Sequence, residues 1–461
     1  MIAPGNFVAV LAMLVWPVAA YVMFTKMPIH RAIIWSVFSA MLLLPVSTFI
    51  QLPLFPDLDK QRLSSLVVFG LTMLFAKERG RFLPTRTSVR VVIIFFVISP
   101  IFTVYTNLEP QIGLFSTRPG LTIMDAISTI FINTITVMPF LVGYRFLSDE
   151  KYHEELVKII LIFGLIYCLP ILWELRMSPR LHSNLYGYFP HDWRQQLRDG
   201  GYRGVVFLGH GLKVAIFLVM AVICAASFWK AKKKIFGFSA FFSVALLLMV
   251  LVANKSVAAI LFGFSSVFLI RYTSPRNQFK LASLILIICV LYPFLRGADL
   301  IPVDRIAALA STFDEQRGGS LQFRFDQEGV LLDKAREKQI FGWGGWGRQR
   351  PLITNKNEDA GVTDGEWLII FGERGWVGYI SIFGVIGFSG LFAYRRAIGY
   401  GRELLSTATL SVLLAFVLLD NLINGSLFSY IWLVAGALMG FADRKIEVQK
   451  DESEDGVPLS P

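Results

Sequence analysis

"GVTDGEWLIIFGERGWVGYI", residues 361–380, sets two carboxylates, Asp364 and Glu366, at the mouth of an apolar run and a Glu-Arg pair, Glu373 and Arg374, further in. The run stays mostly apolar to about residue 394, long enough to cross a hydrocarbon core of about 30 Å as a helix rising 1.5 Å per residue. Runs of this kind recur near residues 6–24, 31–51, 63–76, 91–107, 122–144, 156–173, 204–228, 236–253, 256–270, 281–296, 366–394, 405–420 and 425–441. A closed barrel would need weakly alternating ten-residue segments instead, and these are absent, so the spans read as helices. The expected fold is an all-α polytopic membrane protein of about 12–13 transmembrane helices. The third span is short, and residues 236–270 must form a tight hairpin turning at Asn254, Lys255 and Ser256.

Composition agrees with this reading. The 461 residues are 55% hydrophobic and 17% charged, with 40 Phe and a mean hydropathy of +0.59, outside the range of soluble domains. Residues 1–25 carry no Lys or Arg ahead of the first apolar stretch, so no cleavable signal peptide is expected. Cys168, Cys224 and Cys289 sit alone in separate spans and read as small core residues, with neither metal-ligand nor disulfide spacing.

The net charge of +11 is first explained by loops that orient helices, ahead of any affinity for nucleic acid. Taken alternately, one set of short loops holds Lys26 and Arg31; Lys77, Arg79, Arg81, Arg86 and Arg90; Arg145 and Lys151; Lys230, Lys232, Lys233 and Lys234; Arg271, Arg276 and Lys280; Arg395, Arg396 and Arg402; Arg444 and Lys445. The positive-inside rule places this set in the cytoplasm and the amino terminus outside. Residues 1–442 then form one multi-span membrane domain, and 443–461, with the acidic "DESEDG" run, a disordered cytoplasmic tail. Two long segments, 174–203 and 297–365, fall on the outer side, where the charge rule does not account for their basic residues. Their aromatic, glycine and amphipathic stretches suggest folded loops covering a site.

In "NLYGYFPHDWRQQLRDGGYRGVVFLGHGLKVAIFL", Arg194, Arg198 and Arg203 precede the seventh span, and His210 and Lys213 lie inside it. On a continuous helix Arg203 and His210 would share a face two turns apart. Snorkelling and packing would explain both, yet an ionisable residue as deep as Lys213 points to a cavity or a partner. Lys255 is either a hairpin-tip charge in water or a fixed positive charge for a phosphate. "LQFRFDQEGVLLDKAREKQIFGWGGWGRQR" reads as an amphipathic helix and then a glycine-aromatic turn, whose Trp343 and Trp346 could stack on a sugar ring or sit at the membrane interface. Thr363, Asp364, Gly365 and Glu366 have the form of a capping box, with Thr363 as cap and Glu366 reaching back to it, leaving Asp364 in a first turn that stabilises an anion. For Glu373 and Arg374 an internal ion pair or a break at the neighbouring glycines is expected rather than catalysis.

Over residues 200–385 the chain resembles the O-antigen ligase and polysaccharide polymerase superfamily of bacterial inner-membrane glycosyltransferases. "YRGVVFLGHGLKVA" is similar to that family's arginine, glycine, His-Pro-Asn approach to a span, with Arg203 and His210 on matching positions and Gly211-Leu212 in place of Pro-Asn. "ANKSVAAIL" resembles its Ser-Arg or Ser-Lys hairpin, with Lys255 at the basic position. "FRFDQEGVLLDKAREKQIFGWGGWG" resembles its arginine, helix and Pro-x-x-Gly-x-Gly turn, matching Arg324, Gly342 and Gly344. Asp364-Gly365 stands where the ligases carry His-Asn, which favours a polymerase over a ligase.

The resemblance implies a GT-C-like fold with a large extracytoplasmic loop. It also implies transfer of a glycan from undecaprenyl diphosphate to an acceptor glycan on the periplasmic side, building O-antigen or exopolysaccharide without cofactor or metal. Arg203 and Arg324 would act on the diphosphate with Lys255, and Asp364 would orient the acceptor hydroxyl. His210, Arg198, Trp343 and Trp346 would contact substrate, and Thr363 and Glu366 would cap the helix. A chain-length regulator and a flippase would be its protein partners. Two rival readings are a lipid-linked glycan flippase, against which no internal repeat is found, and a non-catalytic subunit of an export assembly.

Overall fold

In a computed structural model of the chain, residues 2–3, 5–52, 55–76, 80–113, 117–198, 200–313, 315–352, 365–399, 404–425 and 427–444 are described. They are mostly helical. In chain order the helices are α1 (Phe7–Lys26), α2 (Ile29–Leu43), α3 (Lys60–Phe75), α4 (Thr87–Tyr105), α5 (Ile123–Phe146), α6 (Glu150–Met177) and α7 (Leu181–Tyr186). There follow α8 (Gly211–Lys230), α9 (Ala240–Ala253), α10 (Val257–Tyr272), α11 (Pro275–Gly297), α12 (Val303–Phe313) and α13 (Glu315–Arg336). The last are α14 (Glu366–Tyr379), a π-helical turn (Ile380–Gly384), α15 (Val385–Ile398), α16 (Leu405–Asp420) and α17 (Ser429–Asp443).

Seven segments among the described residues are long and apolar enough to cross a membrane: α1, α4, α5, α6, α8, α11 and the Glu366–Ile398 run. Five shorter apolar helices, α2, α9, α10, α16 and α17, pack with them. This is the make-up of an all-α polytopic membrane protein. The helix α8 is buried almost all round, at the centre of contacts with α6, α9, α10 and α16. The tightest pairing joins α5 to α17, because Gly436 and Gly440 let the backbones touch: a Cβ at either would collide with the carbonyl oxygen of Phe140 or Tyr144. Small residues at a helix crossing serve this purpose where lipid supplies no hydrophobic drive.

At one end of the bundle, here the near end, α6, α9, α11 and α16 finish and α3, α8, α10, α14 and α17 begin. Three expected boundaries shift there. The second span was expected to reach residue 51, but α2 stops at Leu43, ahead of Pro45, as the restricted residue before a proline requires. The carbonyls freed at its end, those of Met41 and Leu44, accept hydrogen bonds from the buried Lys60 ammonium. The seventh span begins at Gly211 rather than 204, so Arg203 and His210 do not share a helix face. Its approach is irregular because other side chains bind its backbone: Glu174 accepts from the Val205 and Val206 N–H groups at 2.6 and 2.8 Å, and Asn254 from Gly204 at 2.9 Å. Finally, α14 starts with Gly365 as its N-cap and no side-chain cap bond. Glu366 is therefore the first helical residue and not the third, and the expected cap role falls away; Thr363 lies outside the described residues.

The 174–203 segment holds the end of α6, then α7 and a short hairpin in which Leu197 pairs with Tyr202 and Arg198 with Gly201. The 297–365 segment contains α12 and α13, of which α12 is the more strongly amphipathic. At the far end Asp443 and Arg444, assigned to a disordered tail, are packed: Asp443 accepts from the Thr85 N–H at 2.8 Å and pairs with Arg86 at 2.8 Å, and Arg444 pairs with Asp149. The three cysteines are free and buried.

Candidate functional site

The loop between α7 and α8 is held from below by groups that lie far away in sequence. Glu174 on α6 accepts three backbone N–H bonds, from Val205, Val206 and, at 2.9 Å, Leu181. Lys60 on α3 donates to the Phe207 carbonyl at 2.6 Å. Asn254, at the α9–α10 turn, bridges the loop and the helix start, accepting from the Gly204 N–H and donating to the Gly211 carbonyl at 3.1 Å. Gln196 accepts from the Gly211 N–H at 3.1 Å. A buried polar group is tolerated when its partners are fixed, and a half-satisfied network is costly, so this set pins the loop to one conformation.

On that scaffold stand three of the expected cations, Arg198, Arg203 and Lys255, together with His210. Arg203, 8% exposed, donates from Nη2 to the Lys255 carbonyl at 3.1 Å. Lys255, at the hairpin tip with a φ of 56°, donates from Nζ to the Arg198 carbonyl at 2.9 Å. Arg198 is exposed. His210 is the N-cap of α8: its Nδ1 accepts the Leu212 N–H at 3.1 Å. The neutral ring therefore carries its proton on Nε2 and offers a donor there. Burial pushes its pKa down to about 4, and the nearby charges of His191, Lys213, Arg203 and Arg198 push the same way. At neutral pH His210 is an uncharged hydrogen-bond donor and not the proton acceptor that a matching pKa would favour.

One turn into α8, Lys213 faces the Phe428 ring at 5.5 Å and lies within electrostatic reach of Glu366. Glu366 is also within reach of Glu373 and Arg374. Arg374 donates to Asn133 Oδ1, while Asn133 donates to the Phe96 carbonyl at 2.7 Å, and Arg62 of α3 adds its charge to the same interior. Of the two expectations for Glu373 and Arg374, the structure shows the break: it comes at Gly375, where φ is 60° and the helix yields to the 339–344 turn. Glu373 accepts from Gln349 at 3.1 Å and Arg374 turns to Asn133, so the two feel each other's charge and bond to different partners. Residues Arg62 and Arg374 had not been nominated. The signal was an arginine within or beside an apolar run, since such charges face a cavity or a partner.

Arg324 stands apart from the Arg203 group. It lines a largely apolar cavity of about 270 Å³ under α13, with Tyr292, Phe325, Trp367, Leu419 and Leu422. Buried at its edge, Glu328 pairs with Arg296 at 2.7 Å, fastening α13 to α11. The two sets meet at the start of α14: Gly365 lines the Arg324 cavity, and Glu366 reaches Lys213. Asp364, the nominated acceptor-orienting carboxylate, lies outside the described residues.

The glycine-aromatic turn is a structural clamp. Trp343 N–H donates to the Gly372 carbonyl, Gly344 to Glu373, and Trp376 back to Gln339, at 2.7–2.9 Å. Trp343 is 9% exposed, its Nε1 donates to the Lys334 carbonyl, and the Lys334 ammonium sits 3.8 Å from its ring centroid. That ring face is taken. Trp346, 69% exposed, donates to Asp125 at 2.9 Å and lies beside α5. Arg348, unnoticed in the sequence, holds the turn by bonds to the carbonyls of Glu109 at 3.0 Å and Trp343 at 3.3 Å. No group of His, Cys, Asp and Glu among the described residues could hold a metal ion. No protein-family model matches the chain, and no curated protein is significantly similar to it.

Proposed function

We propose that the chain is a membrane glycosyltransferase of the bacterial inner membrane, with a GT-C-like arrangement. It would join glycan units carried on undecaprenyl diphosphate into O-antigen or exopolysaccharide on the periplasmic side, as a polymerase rather than a ligase. The observation that carries this reading is the convergence of Arg198, Arg203, His210 and Lys255 on one pinned loop, at the same bundle end as the apolar cavity that Arg324 lines. A diphosphate needs fixed cations and donors, and its polyprenyl chain needs an apolar path. Both requirements are met around the start of α14.

In the reaction the acceptor hydroxyl oxygen forms a bond to the anomeric carbon, and the bond from that carbon to the diphosphate breaks. The electron pair leaves with the diphosphate, toward Arg203 and Lys255, with the His210 Nε2–H as an uncharged donor. The hydroxyl proton passes to a carboxylate at the start of α14. Asp364 is the sequence candidate for orienting that hydroxyl, and Glu366 is the carboxylate within electrostatic reach of Lys213. A chain-length regulator and a flippase would supply and measure the substrate.

The test is reconstitution of the purified protein with lipid-linked repeat units from the cells that carry it. Polymer is expected from the wild type, with a loss of about 100-fold or more in Arg203→Ala and a smaller loss in Arg203→Lys, consistent with removal of a charge-assisted contact. Arg324→Ala, at the separate apolar cavity, should also lower the yield of polymer. Asp364→Asn should insert normally and make mainly short chains. Movement of the units across the bilayer without polymer would replace this reading with a flippase.

A further inference from the structure

A second cavity, of about 170 Å³, opens at the near end between α3, α5 and α17. The catalytic proposal makes no use of it. Its lining includes Gln61, Arg62, Ser65, Thr136, Ser429 and Trp432. We infer that this cavity is a saccharide subsite, taking one sugar ring of the acceptor glycan; the identity of that ring as acceptor rests on the function proposed above.

Three observations bear on the ligand. The first is an unmet hydrogen-bonding group: Ser429 is 5% exposed and its hydroxyl has no hydrogen-bond partner, although it lines the cavity. A buried hydroxyl left unpaired is costly, and a ligand hydroxyl would satisfy it. Its backbone is fixed, because the Ser429 N–H donates to Gln61 Oε1 at 3.2 Å. The second is the lining's charge. Arg62 is offset by Asp59 at 3.8 Å and donates to the Asp57 carbonyl at 2.6 Å, so the cavity has no surplus cation to select a phosphate. The third is its mixed character. Ser65 and Thr136 donate to the carbonyls of Gln61 and Ile132 at 2.8 Å, which leaves their oxygens free to accept, while Ile132, Ile135 and Trp432 supply apolar wall. A sugar ring combines outward hydroxyls with apolar C–H faces, whereas a lipid tail would leave the Ser429 hydroxyl unpaired. The volume is below the roughly 300–1,000 Å³ of pockets for drug-sized ligands, which limits the occupant to about one ring.

The placement fits an acceptor. Asn133, next to the lining residue Ile132, accepts from Arg374, and Arg374 lies within electrostatic reach of both Arg62 and Glu366, so the cavity lies near the α14 start.

Binding is measured with a probe that is free of both lipid and phosphate: oligosaccharides cut by mild acid from the polymer of the cells that carry the protein. The full chain in nanodiscs should bind them saturably. Ser429→Ala should weaken binding about five- to tenfold, the worth of one hydrogen bond, and Thr136→Phe, which fills the cavity, by more than about 30-fold. Undecaprenyl diphosphate binding should be unchanged in both, which also shows that they are folded; should Thr136→Phe prove misfolded, Ser429→Ala decides. Arg203→Ala should show the reverse pattern. Wild-type affinity for the oligosaccharide in both variants would overturn the subsite. So would a wild-type protein that polymerises lipid-linked units but binds no free oligosaccharide, and the enzymatic reading would then stand without it. A wild type that neither polymerises nor binds would remove both.

Discussion

At the far end of the bundle Arg31 meets Glu155, Lys233 meets Glu154 and Arg444 meets Asp149, on side chains that remain 21–49% exposed. At the near end Lys60, Glu174, Arg203 and Glu328 are all less than 9% exposed, and each is held by backbone groups or by one opposite charge. Among the described residues of the far end, Asp443, at 3%, is an exception. Exposed pairs contribute little, typically about 0–1 kcal/mol, while a buried charge that loses its partner costs several times that. The far-end charges can therefore be exchanged freely so long as they keep their sign. The four buried charges at the near end are committed, and such commitment is the mark of a site that must hold one shape.

Removing Glu174 should do the most damage. Glu174→Ala strands the N–H groups of Leu181, Val205 and Val206, at a cost of about 3 kcal/mol or more. Thermal unfolding of the detergent-purified protein should show the largest drop of any variant here, and an unchanged midpoint would mean that the near end is not built on this carboxylate. Next is Glu328→Gln, which leaves Arg296 facing only Asp299, itself 91% exposed. The expected loss is about 3 kcal/mol, and Arg296→Met with Glu328→Leu should recover most of it. Protease cleavage within α12–α13 reports whether the cover has come loose.

Acid should expose the same asymmetry. His182 is fully buried, its Nε2 accepting from the Val46 N–H at 3.1 Å and its Nδ1 donating to the Tyr188 carbonyl at 3.0 Å. Burial, with Lys60 nearby, lowers its pKa from 6.5 to about 4. The unfolded chain then takes up a proton before the folded one. Its share of stability is complete above pH 6.5 and is lost as pH falls through 6.5 toward 4. At pH 5 about 1.5 units are in play, or about 2 kcal/mol. Unfolding midpoints at pH 7.5 and 5.0 should differ accordingly, and His182→Gln should flatten the difference; an equal slope in that variant would clear His182 of the effect. The smallest change is expected of Arg31→Ala at the far end, within about 0.5 kcal/mol in the same assay. A larger loss there would erase the contrast between the ends.

Much of the helix pattern could be read directly. The start of α14 at Glu366 and the hairpin at Asn254–Ser256 lie at their expected places, and α11 ends within one residue of its own, whereas α6 and α11 each start six residues earlier than expected. At the near end the misreadings concern how loops and helix starts are held. The seventh span was drawn seven residues too early because "GVVFLG" is apolar, yet those residues are irregular once Glu174 and Asn254 take their N–H groups. Glu366 has the spacing of a capping box but is the first residue of its helix, within electrostatic reach of Lys213. Of the nominated cations, Arg198, Arg203 and Lys255 come together with His210, whereas Arg324 belongs to a separate cavity. Trp343, expected to stack on a sugar ring or sit at the membrane interface, is a buried prop whose ring face Lys334 covers. The cavity at Ser429 carries no motif at all, since its walls come from three helices more than 60 residues apart in sequence.

What the sequence determined by itself was where apolar segments lie and that they are helices, because a backbone in lipid must satisfy its own hydrogen bonds and so declares itself within a single window of chain. Which charges are buried, which loops they hold and where cavities open was decided only by the tertiary structure. The meaning of Glu174 or Lys60 depends on backbone groups more than 30 residues distant, and no local pattern encodes how one helix is turned toward the next.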